Sequence, residues 1–215
     1  MTKRAFDLVL ATVLVLLTLP IMIGAALGSA LVLRSWPFFV QHRTGQDGRA
    51  FRFLKIRTLP TSTPAYLLKN ELSVDRLPAF TRMLRSLHFD ELPQLFLVLG
   101  GRMSLVGPRP EMTEFHGRLN PEFAAARTSV LPGCTGLWQI GADANGLIGD
   151  SPEYDRFYLR NQGIRLDLWI LAETARMMLG LGGMVQLTEV PEWVAAEATP
   201  VLVPARRELE LAEVD

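Results

Sequence analysis

The chain reads as a mostly helical α+β protein with a long apolar helix at its N-terminus and one small β-hairpin. Three observations lead there. Residues 8–33 contain no charged side chain, a stretch longer than the ~20 residues that cross a bilayer as a helix. Residues 38–43 and 50–58 are strand-like and flank the turn dipeptide Asp47-Gly48. Beyond Pro78, apolar residues recur at helical spacing, first at Phe80, Met83, Leu84 and Leu87 and again through residues 166–179.

Composition narrows the function before any motif does. Apolar residues make up 49% of the 215 and the mean hydropathy is +0.21, too apolar for an ordinary soluble enzyme, with the excess at the N-terminus. Lys+Arg 22 balance Asp+Glu 22, so no global charge invites nucleic acid and none is expected as a partner. Cys134 is the only cysteine; it can neither close an intramolecular disulfide nor share a thiolate metal site. A lone thiol fits a cytosolic setting for the folded part. His42, His88 and His116 lack ligand spacing, so zinc is not expected.

Lys3, Arg4 and Asp7 precede the uncharged run and Arg34 closes it. A signal peptide fits poorly, because its apolar core is only ~7–15 residues long and here bulky Trp36-Pro37-Phe38-Phe39 follows the run. Pro20, at the middle, predicts a kink. Positive charge flanks both ends, which removes any inside–outside asymmetry. On the residues alone, a spanning helix and a re-entrant one that returns both ends to one face stay equally open.

In the second strand, alternation puts Phe51, Phe53, Lys55 and Arg57 on one face. Most of it reads as a half-buried hairpin, with Lys55 and Arg57 as candidate phosphate contacts. Residues 61–78 are polar, with Pro60, Pro64 and Pro78 as punctuation and a short helix expected at 65–72. The helix after Pro78 keeps Arg82, Arg85 and His88 off its apolar positions. It is either an ordinary core-facing helix or one that lies in a headgroup layer.

The densest stretch is residues 85–111. Asp90-Glu91 stands before the apolar run 92–99, a Gly100-Gly101 break follows, and Pro108-Arg109-Pro110 presents one guanidinium. Carboxylates, a helix start and a fixed arginine are the parts that handle a phosphorylated substrate with a metal. The plainer reading makes Asp90 an N-cap, with Pro93 in the first turn and Glu91 favouring the helix dipole. A cap needs no second carboxylate, however. Further on, a helix after Pro121 takes in Ala124 and Ala126, and Gly133 and Gly136 allow close backbone approach to a ligand. Trp138 reads as core, and Asp155 is the notable carboxylate of residues 154–160. Gly180 and Gly182-Gly183 end the last helix. The Ala/Glu/Pro-rich tail past Pro191 is expected to be poorly ordered.

Several motifs stand in order: Lys3-Arg4-Ala5-Phe6-Asp7; Phe38-Phe39-Val40-Gln41-His42-Arg43-Thr44-Gly45; Phe53-Leu54-Lys55-Ile56-Arg57-Thr58; Asp90-Glu91-Leu92-Pro93-Gln94-Leu95; Met103-Ser104-Leu105-Val106-Gly107-Pro108-Arg109-Pro110; and Pro132-Gly133-Cys134-Thr135-Gly136-Leu137-Trp138-Gln139. Over residues 3–179 the chain resembles the bacterial sugar transferases, the monotopic phosphoglycosyl transferases. The resemblance implies a re-entrant membrane helix over 1–36, a catalytic domain over 37–190 on the cytoplasmic face of the bacterial inner membrane, interfacial amphipathic helices, and a tail over 191–215. It implies transfer of sugar-1-phosphate from a UDP-sugar to polyprenol (undecaprenyl) phosphate with release of UMP and with Mg²⁺. By resemblance Asp90 is the nucleophile that forms an aspartyl phospho-sugar intermediate, and Glu91 positions the metal or handles protons. Asp90 and Glu91 are then the metal ligands. Lys55 and Arg109 match basic residues suited to the diphosphate, and Asp155 matches an active-site carboxylate. With Arg57 and Arg85, four cations are candidate phosphate contacts.

The chain also departs from that pattern. Trp36 stands where the family has Gly, Leu97 where it favours Asn, Arg102 where it favours Asp, and Gly141-Ala142-Asp143 replaces an expected Gly-Arg. The missing arginine defines the rival reading, a catalytically weakened, membrane-anchored scaffold or binding subunit of polysaccharide assembly. A single-span protein with a soluble hydrolase domain has only the acid pair in its favour. The sugar transferred and assembly into a homo-oligomer stay open.

Overall fold

The computed structural model describes residues 2–64, 77–144 and 146–194; the helix expected at 65–72 and the tail beyond 194 lie outside them. The described chain is mostly helical, with two small two-stranded sheets. Its first element, α1 (Thr2–Leu33), is one continuous helix that takes Pro20 inside it. It is long and apolar enough to cross a membrane. Asp7, Ala11, Val15, Met22, Ala25 and Ser29 are its buried positions, and their spacing of three, four and seven residues puts them on one stripe. Val9, Leu16, Leu17, Ile23, Leu27 and Leu31 stand open around the rest of the surface.

Both ends of α1 are fastened to the same folded body. At the start, Lys3 Nζ lies 2.5 Å from Asp167 Oδ2 and donates to the Val106 carbonyl. Arg4 donates to the Leu99 carbonyl, while Asp7 accepts from Ser104 Oγ at 2.7 Å and from the Leu105 amide. At the other end, Ser29 donates to the Arg57 carbonyl, Ala25 packs with Ile56 and Leu84, and Gly28 lies so near Phe80 that a Cβ would meet its ring at 2.3 Å.

Strands β1 (Phe38–Thr44) and β2 (Ala50–Ile56) pair antiparallel, from Phe38 opposite Ile56 to Thr44 opposite Ala50. The turn between them carries Asp47 and Gly48 at φ of 55° and 71°, the left-handed region that Asp-Gly enters at low cost. Phe51 and Phe53 enter the main core, and Ile56 joins a smaller cluster beneath the end of α1. The short helix α2 (Ala79–Ser86) starts directly after Pro78 and buries Thr81 and Leu84, while Met83 and Leu87 face outward. Its apolar positions are therefore divided between two sides.

After α2 the chain runs through a single 3₁₀ turn, Phe89–Glu91, into α3 (Gln94–Leu99). Strand β3 (Ser104–Val106) then pairs in parallel with β4 (Gly133–Thr135). Between these strands lie α4 (Thr113–His116) and α5 (Pro121–Thr128), the latter capped by Asn120, whose Oδ1 accepts from the amides of Glu122 and Phe123. Helices α6 (Leu137–Ile140), α7 (Pro152–Arg160) and α8 (Ile164–Met178) complete the body. Leu166 and Ile170 of α8 pack with Leu105, Val106 and Tyr158 around the short sheet. Trp138 is buried as expected, its indole N–H donating to Ser151 Oγ at 2.9 Å.

Candidate active site

Three separate segments converge on Glu91. Lys55 comes from β2, Glu91 from the 3₁₀ turn after α2, and Arg109 from the loop that leaves β3. Lys55 Nζ donates to Glu91 Oε1, and Arg109 Nη2 stands 3.9 Å from the same oxygen. Both carboxylate-bearing residues ride on a turn set by His88, which takes left-handed backbone angles (φ 56°, ψ 20°) and redirects the chain at the end of α2. Such a conformation is uncommon without a glycine, and here it places Phe89 against the cluster beneath α1 while Asp90 and Glu91 follow it toward the cations.

The two acids meet different electrostatics. Asp90 is only 5% exposed. Burial pushes its carboxyl above the ordinary range; Lys55 pulls it back, Glu91 adds to the rise, and Arg85 and His88 oppose it. Burial also disfavours the Glu91 carboxylate, but Lys55 and Arg109 outweigh it and hold Glu91 well below the usual range. One acid is therefore held charged by its partners, and its neighbour is stripped of water.

The expectation that Asp90 caps α3 is not met: Pro93 occupies that position, and no side chain caps the helix. Arg85 donates to Thr58 Oγ1 at 3.2 Å and adds positive charge beside Asp90. Arg57 turns toward the backbone, its Nε donating to the Trp36 carbonyl at 3.1 Å and its Nη2 to that of Phe38. Asp155 sits in α7, 2% exposed, with its Oδ2 accepting from Arg127 Nε at 2.6 Å. Its carboxyl is raised by burial and pulled back by Arg127. The structure thus brings Lys55, Asp90, Glu91, Arg85 and Arg109 into one electrostatic group and gives Arg57 and Asp155 other immediate partners.

The family description "Bacterial sugar transferase" matches residues 1–180. The chain belongs to the bacterial sugar transferase family. An uncharacterized sugar transferase of Bacillus subtilis strain 168 is 38% identical over 191 residues, covering 87% of this chain and 92% of the relative. A UDP-glucose:undecaprenyl-phosphate glucose-1-phosphate transferase of Caulobacter vibrioides is 35% identical, covering 82% and 69%. A UDP-N-acetylgalactosamine-undecaprenyl-phosphate N-acetylgalactosaminephosphotransferase of Aeromonas hydrophila is 32% identical and covers 82% of this chain. The chain spans only 43% of that Aeromonas protein's length.

Two features of this bacterial sugar transferase add to the sequence reading. Gly133 and Gly136 approach backbone: a Cβ on either would lie 2.1 Å from the N or O of Gly107, so the three glycines lock β4 against the end of β3. Asp143 lines an open cleft of about 350 Å³ with Glu153, Tyr154 and Gln186, and no member of the Lys55–Glu91–Arg109 group borders it. Sequence reading also missed Arg43 of β1. Its pKa is lowered to about 10 by burial and by the neighbouring Arg109 charge, and only its place in the Gln-His-Arg-Thr-Gly motif hinted at it.

Proposed function

We propose that this protein transfers a sugar-1-phosphate from a UDP-sugar to polyprenol (undecaprenyl) phosphate and releases UMP. The observation that carries the proposal is the Asp90-Glu91 pair set against Lys55 and Arg109, inside the region matched to the family. An Asp90 carboxylate oxygen attacks the phosphorus that bears the sugar, and the bond to the UMP oxygen breaks with its electron pair leaving on UMP. The resulting aspartyl phospho-sugar is then attacked by a phosphate oxygen of the polyprenol phosphate, which returns Asp90 as a carboxylate. Lys55 and Arg109 offset the charge that keeps an anionic nucleophile from an anionic diphosphate. Arg85 and His88 favour the ionised form of Asp90, the form that attacks.

Among the described residues no three His, Cys, Asp or Glu side chains are grouped to hold a metal ion. Two adjacent carboxylates still suit Mg²⁺, which is commonly held by one or two carboxylates together with substrate phosphates. Asp90 and Glu91 are the side chains that would hold it, and it would neutralise phosphate charge there.

The membrane side of the proposal is a re-entrant α1 with the body on the cytoplasmic face. What supports it is that Lys3 and Ser29, near opposite ends of α1, are both tied to one body. In a spanning orientation the two ties would lie on opposite sides of the ~30 Å hydrocarbon core, out of reach of one body on one face; α1 runs uninterrupted through Pro20, so the bend that re-entry needs is part of the proposal. The open aliphatic surface of α1, Met83 and Leu168 on α2 and α8, and Leu87 and Leu179 just past the ends of those helices, would then meet lipid.

The test is UMP release from a panel of UDP-sugars by the full-length protein in detergent with polyprenol phosphate and Mg²⁺, beside Asp90→Asn. Release that requires acceptor, metal and Asp90 is the expected result. No release from any donor by folded wild-type protein would overturn the proposal in favour of the scaffold.

A further inference from the structure

Four successive carbonyls of the turn that carries Arg109 are each held by a donor from elsewhere in the fold. The Pro108 carbonyl accepts from the Gly133 amide at 2.9 Å. The Arg109 carbonyl accepts from Arg127 Nη2 at 2.5 Å, and the Pro110 carbonyl from Arg43 Nη1 at 3.0 Å. The Glu111 carbonyl accepts from the Thr44 amide at 2.9 Å. Two prolines deny this turn half of its own amide donors, so its shape depends on what these neighbours give it.

The two guanidiniums are themselves aimed. Arg127 is 4% exposed, and its Nε is fixed by Asp155 Oδ2 at 2.6 Å, with the plane lying over Phe123 at 5.6 Å. Arg43 gives its Nε to Gln41 Oε1 at 2.9 Å and lies over Phe53 at 5.2 Å. A planar fork with one edge anchored by a side-chain oxygen has its other edge directed in space, which an ammonium cannot reproduce. Phe53 is two residues before Lys55 on the same strand face, so the strand that supplies the lysine also seats the arginine.

We infer that Arg127, oriented by Asp155, and Arg43 are positioning residues that clamp the Pro108–Glu111 backbone and so place the Arg109 guanidinium over Glu91 for the donor's diphosphate. The inference rests on the proposed transferase reading. It gives Asp155 a role through Arg127 and Arg109, with no contact to the reacting atoms. The same clamp joins β1, α5 and α7 to a loop that belongs to none of them, so the arginine's position is fixed by the whole body.

The experiment compares Asp155→Asn, Arg43→Lys, Arg109→Ala and the Asp155→Asn/Arg109→Ala pair in full-length protein, each first shown to melt cooperatively. Asp155→Asn and Arg43→Lys are expected to lower kcat/KM for the UDP-sugar by ~10-fold or more, and Arg109→Ala by ~10²–10³-fold. The double variant should be no worse than Arg109→Ala, because the clamp acts only through that side chain. Multiplied losses in the double variant, or unchanged kcat/KM in both clamp variants, overturn the inference. Arg43→Lys keeps the charge and carries the test alone if Asp155→Asn fails to fold. If wild-type protein releases no UMP, the functional proposal falls, and amide exchange at Gly133 and Thr44 still decides the clamp. Faster exchange at both amides in the clamp variants supports it, and unchanged exchange refutes it.

Discussion

Two carboxylate–cation pairs in this protein differ less in chemistry than in access to water. Glu91 with Lys55 keeps about a fifth of each side chain open, 22% and 18%. Asp155 with Arg127 keeps 2% and 3%. The open pair stands beside the buried Asp90 and a second cation, Arg109. The sealed pair gives a further Arg127 donor to a backbone carbonyl. Ionic partners at a cleft are exchangeable for substrate, whereas ionic partners in a dry interior are exchangeable only at the cost of an unpaired buried charge. The comparison predicts different responses: losses at the open group should appear chiefly in activity, and losses at the sealed pair in stability as well as in the activity that runs through Arg109.

Asp90→Asn is the sharpest break and the largest expected effect, a fall in UMP release of ~10⁴-fold or more, as befits a covalent nucleophile. Its stability should move the other way. Burial raises the folded-state pKa of Asp90, so the native state holds that proton more tightly than the unfolded chain does. That contribution is fully present below the unfolded pKa and is lost as pH rises through the folded pKa. At neutral pH the ionised form therefore weighs against folding, and an uncharged Asn removes the weight. Melting temperatures in detergent at pH 7 should be higher for the variant than for wild type, with the gap closing under acid. A lower melting temperature at pH 7 would show that the charge is welcome where it sits.

Arg127→Met attacks the sealed side. It strands the Asp155 carboxylate in a dry site and should cost about 3–5 kcal/mol in urea unfolding. Adding Asp155→Leu should recover most of that loss while activity stays low, because Arg109 still lacks its clamp. Full recovery of activity in the double variant would separate the pair from the turn.

How much of this was visible beforehand follows the range of each signal. The hairpin was legible because Asp47-Gly48 and the alternation of Phe51, Phe53 and Lys55 are local. The acid pair was legible as two neighbouring carboxylates, but not its setting, since the left-handed His88 that redirects it has no strong local marker. The β3–β4 pair has strands of three residues, too short for alternation to register, and its glycines serve one another across a gap of more than twenty residues. Arg43 and Arg127 act through carbonyls, which any residue supplies, so no sequence pattern announces them. In α1 nearly every face is apolar; the side that packs is distinguished only by small or polar members such as Asp7, Ala11, Ala25 and Ser29.

Lys55→Met tests the open pair on its own terms. The stability loss should be about 1–3 kcal/mol, smaller than for the sealed pair because water reaches both groups, while UMP release should fall ~10²-fold or more. The pH dependence carries a sign of its own. Glu91 has a depressed folded-state pKa, so it contributes stability above its unfolded pKa and loses it as pH falls through the folded value. Without Lys55 the depression shrinks, and the acid-side fall in melting temperature should flatten relative to wild type. An unchanged acid limb would mean that Arg109 alone holds Glu91 charged.

The smallest expected effect is the control that keeps the comparison fair. Asn120→Ala removes the cap at the start of α5 and should cost about 1 kcal/mol. Arg127 stands in the last turn of the same helix, and its aim is set by Asp155 and the Arg109 carbonyl, not by the distant cap. Melting temperature should therefore drop while kcat/KM for the UDP-sugar stays at the wild-type value. If this mild loss at the far end of α5 also lowered kcat/KM, general loosening of the body would explain the clamp variants as well, and the sealed pair would have no directed role in placing Arg109.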